Sequence, residues 1–152
     1  MLIETLMLPL LQSWSAWHRN SGRKVGFVNG AFDKLHAGHR HLLAYARANC
    51  DRLIVAVNSD DGIRLRKGSG RPTQSYHERL MALYAACKID SDILFDADDP
   101  SELLAAVQPD LYVLGSDYRG QIVPGAEHCK EVVFIDRLPG FSTTEIISRP
   151  VT

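Results

Sequence analysis

Apolar residues along this chain follow two rhythms, and the alternation between them predicts an order of elements. Ile3, Leu6, Leu10, Trp14 and Trp17 recur at three- and four-residue intervals, which predicts an amphipathic helix over residues 1 to 19, broken or restarted at Pro9 and ended by Ser21-Gly22. Val25 to Val28 is a short apolar run stopped by Asn29-Gly30, the pattern of a buried strand. A helical stripe of Leu42, Leu43, Tyr45, Ala46 and Ala48 starts near Gly38. Asp51 to Val57 reads as a second strand, apolar on both faces through Leu53–Val57, and Asn58-Ser59-Asp60 caps a short helical stretch after it. That stretch leads into a mobile basic loop from Arg64 to Pro72.

The second half repeats the alternation. Ser75 with Glu78 has the spacing of a capping box, opening a helix to Lys88 whose stripe is Leu80, Leu83, Tyr84 and Cys87. Asp92–Phe95 is a third strand. Asp96–Pro100 is a turn whose acidic cluster lacks the glycine and distal glutamate of a calcium loop. Ser101–Val107 is a helix stopped by Pro109, Leu111–Leu114 a fourth strand and Glu131–Ile135 a fifth. Ser142, Thr143 and Thr144, followed by Ile146 and Ile147, read as hydroxyl residues at the start of a last helix.

Strands separated by helices imply an α/β fold with right-handed crossovers. The expected form is a single Rossmann-like domain, a five-stranded, mostly parallel open sheet with helices on both faces. Residues 1–22 form an N-terminal helix packing on that domain or on a dimer partner, and residues 23–152 the domain itself. Ligands bind such sheets beyond the carboxyl ends of the strands, and the polar motifs here follow strands one, two, four and five, so one crevice can hold them all.

Composition narrows the partners. The 152 residues are 45% hydrophobic and 23% charged, enough for one core, and 17 basic against 18 acidic side chains give a formal charge of −1. No strong field draws the chain to nucleic acid or to a membrane surface. Cys50, Cys87 and Cys129 lack metal or redox spacing and read as free thiols in a reducing cytoplasm. The apolar start has no basic leader, carries Glu4 and Pro9, and falls short of the ~18 apolar residues of a membrane span, so neither export nor anchoring is expected.

The chemistry concentrates at His36-Ala37-Gly38-His39. Two histidines three apart at a strand-to-helix turn put imidazole and backbone donors beside the free N–H groups of a helix start, a setting suited to phosphate. His18, His41, His77 and His128 stand alone and read as structural or surface residues. The stretch Asn29-Gly30-Ala31-Phe32-Asp33-Lys34-Leu35-His36-Ala37-Gly38-His39 resembles the HIGH signature of the nucleotidylyltransferase superfamily. It is most similar to the adenylyltransferase domain of ADP-heptose synthase and more loosely similar to glycerol-3-phosphate cytidylyltransferase. Further matching blocks follow in order: Val55–Asp60, Arg66-Lys67-Gly68 with Arg71-Pro72, Gly115-Ser116-Asp117-Tyr118, and Ser142-Thr143-Thr144. Ala31 stands where that family usually has cysteine and Ser116 where it usually has glycine, and residues 119–131 fit poorly.

The resemblance implies transfer of a nucleoside monophosphate, AMP from ATP in the first instance, to a sugar phosphate such as heptose 1-phosphate, with release of pyrophosphate. It implies catalytic roles for His36, His39 and Lys67. Nucleotide binding would fall to Asn29, Gly30, Ala31, Phe32, Gly38, Gly115, Asp117, Tyr118, Ser142, Thr143 and Thr144. Asp33, Lys34 and Arg71 are candidates for holding the acceptor, with orientation of a loop as the other reading of Asp33. Mg²⁺ is expected, bound mainly through nucleotide phosphates, with no metal ligands from the protein; a homodimer is a further expectation. The alternatives are a cytidylyltransferase acting on a polyol phosphate such as glycerol 3-phosphate, and a nucleotide-binding module without turnover. A class I aminoacyl-tRNA synthetase fragment is disfavoured because no Lys-Met-Ser-Lys-Ser element is present, and there is neither a Walker A loop nor a G-x-G-x-x-G turn.

Overall fold

The computed structural model describes residues 2–96, 99–136 and 145–147. Its elements in chain order are α1 (Leu2–Asn20), β1 (Val25–Gly30), α2 (Ala37–Ala48), β2 (Arg52–Asn58), α3 (Asp60–Lys67), α4 (Tyr76–Ala86), β3 (Ser91–Phe95), α5 (Ser101–Val107), β4 (Leu111–Gly115), β5 (Glu131–Ile135) and β6 (Glu145–Ile147). The strands form one sheet in the order β3-β2-β1-β4-β5-β6. The first five are parallel, as the alternation of elements predicts, and the order reverses between β1 and β4. A crevice opens at such a reversal because the crossovers on either side leave to opposite faces.

Two hydrophobic layers sandwich the sheet. On one face Val25, Phe27, Ile54, Tyr112, Leu114 and Phe134 pack with Leu103, Leu104 and Val107 of α5 and Leu11 of α1. On the other, Val28, Leu53, Val55, Val57, Val113 and Val133 pack with Leu43 and Ala46 of α2 and Leu83 of α4. Successive residues of each strand serve opposite layers, which is why β1, β2 and β4 are apolar without alternation.

Four expectations change. Glu145–Ile147 is a strand rather than part of a helix: it pairs antiparallel with β5, Ile146 opposite Val133 and Ile147 opposite Val132. Two adjacent β-branched residues suit a pleated edge, and the pairing covers what would otherwise be an open strand. Helix α1 continues through Pro9 without interruption, since proline removes only one donor from the ladder. Its buried face is also rotated from the expected stripe. Leu11, Ser15 and His18 are enclosed, whereas Leu10 and Trp17 are 65% and 61% exposed. The rotation has a polar cause: Ser15 Oγ donates to the Val107 carbonyl at 2.6 Å, tying α1 to the end of α5. Finally, Arg64, Arg66 and Lys67 belong to α3 and not to a loop. The loop starts only at Gly68, whose φ of 95° ends the helix.

Polar anchors fix the opposite end of the sheet from the crevice. Asp90 Oδ2 accepts from Arg47 Nη1 at 2.7 Å and from the Leu53 amide at 2.8 Å, joining α2, β2 and the entry to β3. Burial pushes the Asp90 carboxyl pKa up, but the Arg47 and Leu53 hydrogen bonds and the charges of Arg47 and Arg52 outweigh it and hold it below the usual carboxylate value. The stabilisation is therefore complete above the unfolded-state pKa of about 3.9 and is lost as pH falls through the lower folded value. Asp90→Asn should lower the urea midpoint at pH 7 by an amount equivalent to about 1–3 kcal/mol. The gap to wild type should close progressively below about pH 4; a gap independent of pH would remove this assignment.

Candidate functional site

The crevice at the reversal point holds a cavity of about 330 Å³. Its walls come from the ends of β1 and β4, the loop after β1, the start of α2 and the end of α3. Asn29, Gly30, Ala31 and Phe32 line one side, and His36, Gly38 and His39 form the next. Gly115 and Tyr118 lie across from them, and Lys67 and Arg71 reach the cavity from the α3 side. Of the sequence blocks expected to converge, those of the loop after β1, of Lys67 with Arg71, and of Gly115 with Tyr118 meet at this cavity, whereas no residue of Val55–Asp60 lines it.

The histidines are organised by the helix they start. His36 is the N-cap of α2, and its Nδ1 accepts from the amides of Gly38 at 3.1 Å and His39 at 3.4 Å. In return the His36 amide donates to His39 Nδ1 at 3.4 Å. This is a capping box built from two imidazoles in place of the usual hydroxyl and carboxylate. Because each Nδ1 accepts, the hydrogen-bond pattern assigns the ring proton of each neutral imidazole to Nε2. The rings stack at 3.8 Å with 21° between planes, and Phe32 meets His39 edge-on at 5.5 Å. No acidic residue occupies the first turn of α2, so its positive pole is left for an anion.

The loop after β1 is strained and is held from outside. Phe32 and Lys34 have φ of 52° and 56°, left-handed values costly for side chains of their size. Between them, the Asp33 side chain is only 4% exposed. Its oxygens accept from the Thr73 amide and hydroxyl, each at 2.8 Å, from the Gln74 amide at 3.0 Å, and pair with Arg71 Nε at 3.4 Å. Gln74 Oε1 accepts from the Lys34 amide at 2.9 Å. Burial pushes the Asp33 carboxyl pKa up, and the Thr73 and Gln74 bonds with the Arg71 charge bring it below the usual value. Asp33 thus binds the 71–74 loop, the second of its two readings, while also lining the cavity. Lys34 is not among the lining residues; its backbone is part of the same latch.

Asp117 also falls outside the cavity wall, on a 3₁₀ turn (Ser116–Tyr118) where its carbonyl accepts from Gln121. Ser142, Thr143 and Thr144 lie outside the described residues. Among the described residues no group of three His, Cys, Asp or Glu side chains is placed to hold a metal ion, and no helix is long and apolar enough to cross a membrane.

Sequence reasoning missed the apolar floor, Leu42, Val113 and Leu114, and the residue that frames the site, Arg79. Arg79 has no solvent exposure. It donates to the Ala31 carbonyl at 2.7 Å, the Gln74 carbonyl at 3.2 Å and Asp60 Oδ1 at 2.7 Å, and so touches the β1 loop, the 71–74 loop and the start of α3. A signal existed: Arg79 sits within the inward stripe of α4, three after Tyr76 and four before Leu83. Arg79→Met should lower stability by about 2–4 kcal/mol in urea titrations, because two part-buried carbonyls and the Asp60 carboxylate lose their donor. Arg79→Lys, which cannot reach three acceptors at once, should recover only part; full recovery by lysine would show that charge and not the forked geometry matters.

Over most of its length the chain is similar to known proteins. The cytidylyltransferase-like family profile matches residues 27–149. The bifunctional protein HldE of Nitrobacter hamburgensis is 44% identical over 142 residues, covering 91% of this chain and 29% of that protein. HldE of Acidiphilium cryptum is 42% identical over 135 residues, 86% of this chain and 28% of that one. The chain thus spans less than a third of the length of these relatives. Among solved structures, the lipopolysaccharide core biosynthesis protein of Thermoplasma volcanium superposes with a TM-score of 0.57 at 27% identity, covering 76% of this chain and 98% of that one. Pantothenate synthetase of Thermus thermophilus, at 18% identity and a TM-score of 0.54, covers 80% of this chain and 59% of its own; it shares the fold.

Proposed function

The chain belongs to the cytidylyltransferase-like family, and from that premise we propose that its crevice transfers a nucleoside monophosphate, AMP from ATP, to a sugar phosphate such as heptose 1-phosphate, releasing pyrophosphate. The observation that carries this reading is the paired cap of α2. Fixing both Nδ1 atoms as acceptors makes Nε2–H the donor of each ring in a cavity that also contains Lys67 and Arg71.

Attack of an acceptor phosphate oxygen on the α-phosphorus, in line with the departing pyrophosphate, asks little covalent chemistry of a protein. It asks that two anions be brought together and that charge growing on the α-phosphoryl oxygens be met by donors already in place. His36 and His39 supply those donors without reorganisation, because turning either ring away would uncap the helix. Lys67, at the end of α3 beside Gly68, and Arg71, half-exposed and steered by Asp33, offset the charge of the triphosphate and the acceptor. The donor set fits a magnesium ion carried on the phosphates. Among the described residues Asp33 is the one carboxylate lining the cavity and is bound to its loop, and the other polar side chains there are neutral or cationic, so such an ion would be held by nucleotide oxygens and water and would supply charge neutralisation there.

A matrix of the four nucleoside triphosphates against heptose 1-phosphate, other sugar 1-phosphates and glycerol 3-phosphate, scored by pyrophosphate release, tests the proposal. ATP with a sugar 1-phosphate should be the most active pair. Release only from CTP with a polyol phosphate would replace both substrates, and nucleotide binding without release from any pair would make the chain a non-catalytic binder. In the active pair, His36→Ala or His39→Ala should lower kcat by about 10²–10³ while nucleotide affinity changes far less; an equal fall in both would assign the histidines to ground-state binding.

A further inference from the structure

At the floor of the crevice one hydrogen bond has no part in the scheme above. Tyr112, on β4 and 1% exposed, lies beside β1 in the face packed by α5, its ring edge-on to Phe27 at 5.5 Å. Its hydroxyl is 2.6 Å from Asn29 Oδ1, and Asn29 lines the cavity. That separation distinguishes the two ways of placing the amide: O–H···O bonds lie at about 2.5–3.0 Å and N–H···O bonds at about 2.7–3.2 Å, so the atom facing Tyr112 is the carbonyl oxygen. Burial pushes the phenol pKa well above its ordinary value, so the hydroxyl keeps its proton and must donate it. The consequence falls on the other half of the carboxamide. With Oδ1 turned to Tyr112, Nδ2 has no acceptor among the described residues.

We infer that Tyr112 is a positioning residue: its hydroxyl fixes the Asn29 carboxamide so that the NH₂ group donates into the crevice to an anionic oxygen of a bound substrate. The inference rests on the proposed function for the identity of the substrates, while the orientation rests on geometry alone. A carboxamide that turned freely would present its carbonyl oxygen to phosphate for part of the time, which repels. Locked by Tyr112, it presents only donors. The amide thereby adds a further donor to the histidine Nε2–H groups and the two cations that reach the same cavity. The shared chemistry is a phosphate oxygen, supplied either by the nucleotide or by the acceptor.

The test is a double-mutant cycle on binding, using the full chain with ATP and magnesium in one set of titrations and glucose 1-phosphate in another. Tyr112→Phe should weaken binding of one ligand about three- to tenfold, and Asn29→Ala about tenfold or more. Tyr112→Phe in the Asn29→Ala background should add nothing, because the hydroxyl acts through the amide. Coupling in the ATP series assigns the oxygen to the nucleotide, and coupling in the sugar phosphate series assigns it to the acceptor. Additive effects in every series that binds, or an unchanged affinity in Tyr112→Phe, would overturn the inference while leaving the proposed function standing. An unmodified chain that binds neither ligand would remove both. Asn29→Asp provides a check that does not depend on the folding of the tyrosine variant. It keeps an acceptor for Tyr112 and puts an anionic oxygen where the NH₂ was, so it should bind more weakly than Asn29→Ala. Binding as tight as or tighter than Asn29→Ala would show that the amide never faced the crevice as a donor.

Discussion

A guanidinium without solvent exposure determines whether this crevice has a shape. Arg79 reaches from α4 to the carbonyls of Ala31 and Gln74 and to the carboxylate of Asp60, in three separate segments of the chain. A buried cation is costly unless it is fully paired, so the segments are held at the spacing that pairs it. Asp33 works in the same region from the other direction, collecting donors from Thr73, Gln74 and Arg71. Between them the two charges tie the loop after β1 to the loop after α3, and the left-handed residues Phe32 and Lys34 are stabilised by that tie and not by their own preferences.

The histidine pair shows how local structure and chemistry can use the same atoms. A capping box ordinarily satisfies amides and does nothing more. Here the capping groups are imidazoles, so satisfying the amides through Nδ1 assigns the other nitrogen as a donor. Helix formation by α2, whose apolar face packs Leu43 and Ala46 on the sheet, therefore orients the proposed catalytic groups. The donors need no separate supporting structure, which suits a reaction whose demand on the protein is preorganised charge. The same economy is visible at Asn29, where a residue ending β1 is held by a tyrosine whose ring already belongs to the core.

What the sequence made legible follows from how local each signal is. Strand runs such as Leu53–Val57 and the Ser75 with Glu78 box are written within a few residues, and they appear where expected, with ends displaced by one or two positions. The motif blocks after β1 and β4 and at the end of α3 meet at one crevice because parallel strands bring their carboxyl ends together. The rotation of α1 was not legible. Leu10 and Trp17 are apolar, yet the hydroxyl of Ser15 and the neighbouring Leu11 face inward because the Val107 carbonyl, 92 residues away, takes a hydrogen bond. The role of Asp33 was undecided for a similar reason, since its partners are forty residues distant. The strand at Glu145–Ile147 depended on the exposed edge of β5, which no local pattern reveals.

Periodicity and capping, read along the chain, determined the α/β class, the parallel sheet, the position of the histidine pair at a helix start and the family to which they point. Tertiary structure alone decided which face of α1 is buried, that Arg79 is enclosed, that Asp33 holds a loop and that Tyr112 meets Asn29. The physical reason is the range of the interactions. Backbone periodicity and caps act within about one helical turn and are therefore recorded in neighbouring residues. A buried charge or a turned amide is satisfied by whichever partner the folded chain brings to it, however far away that partner is in sequence.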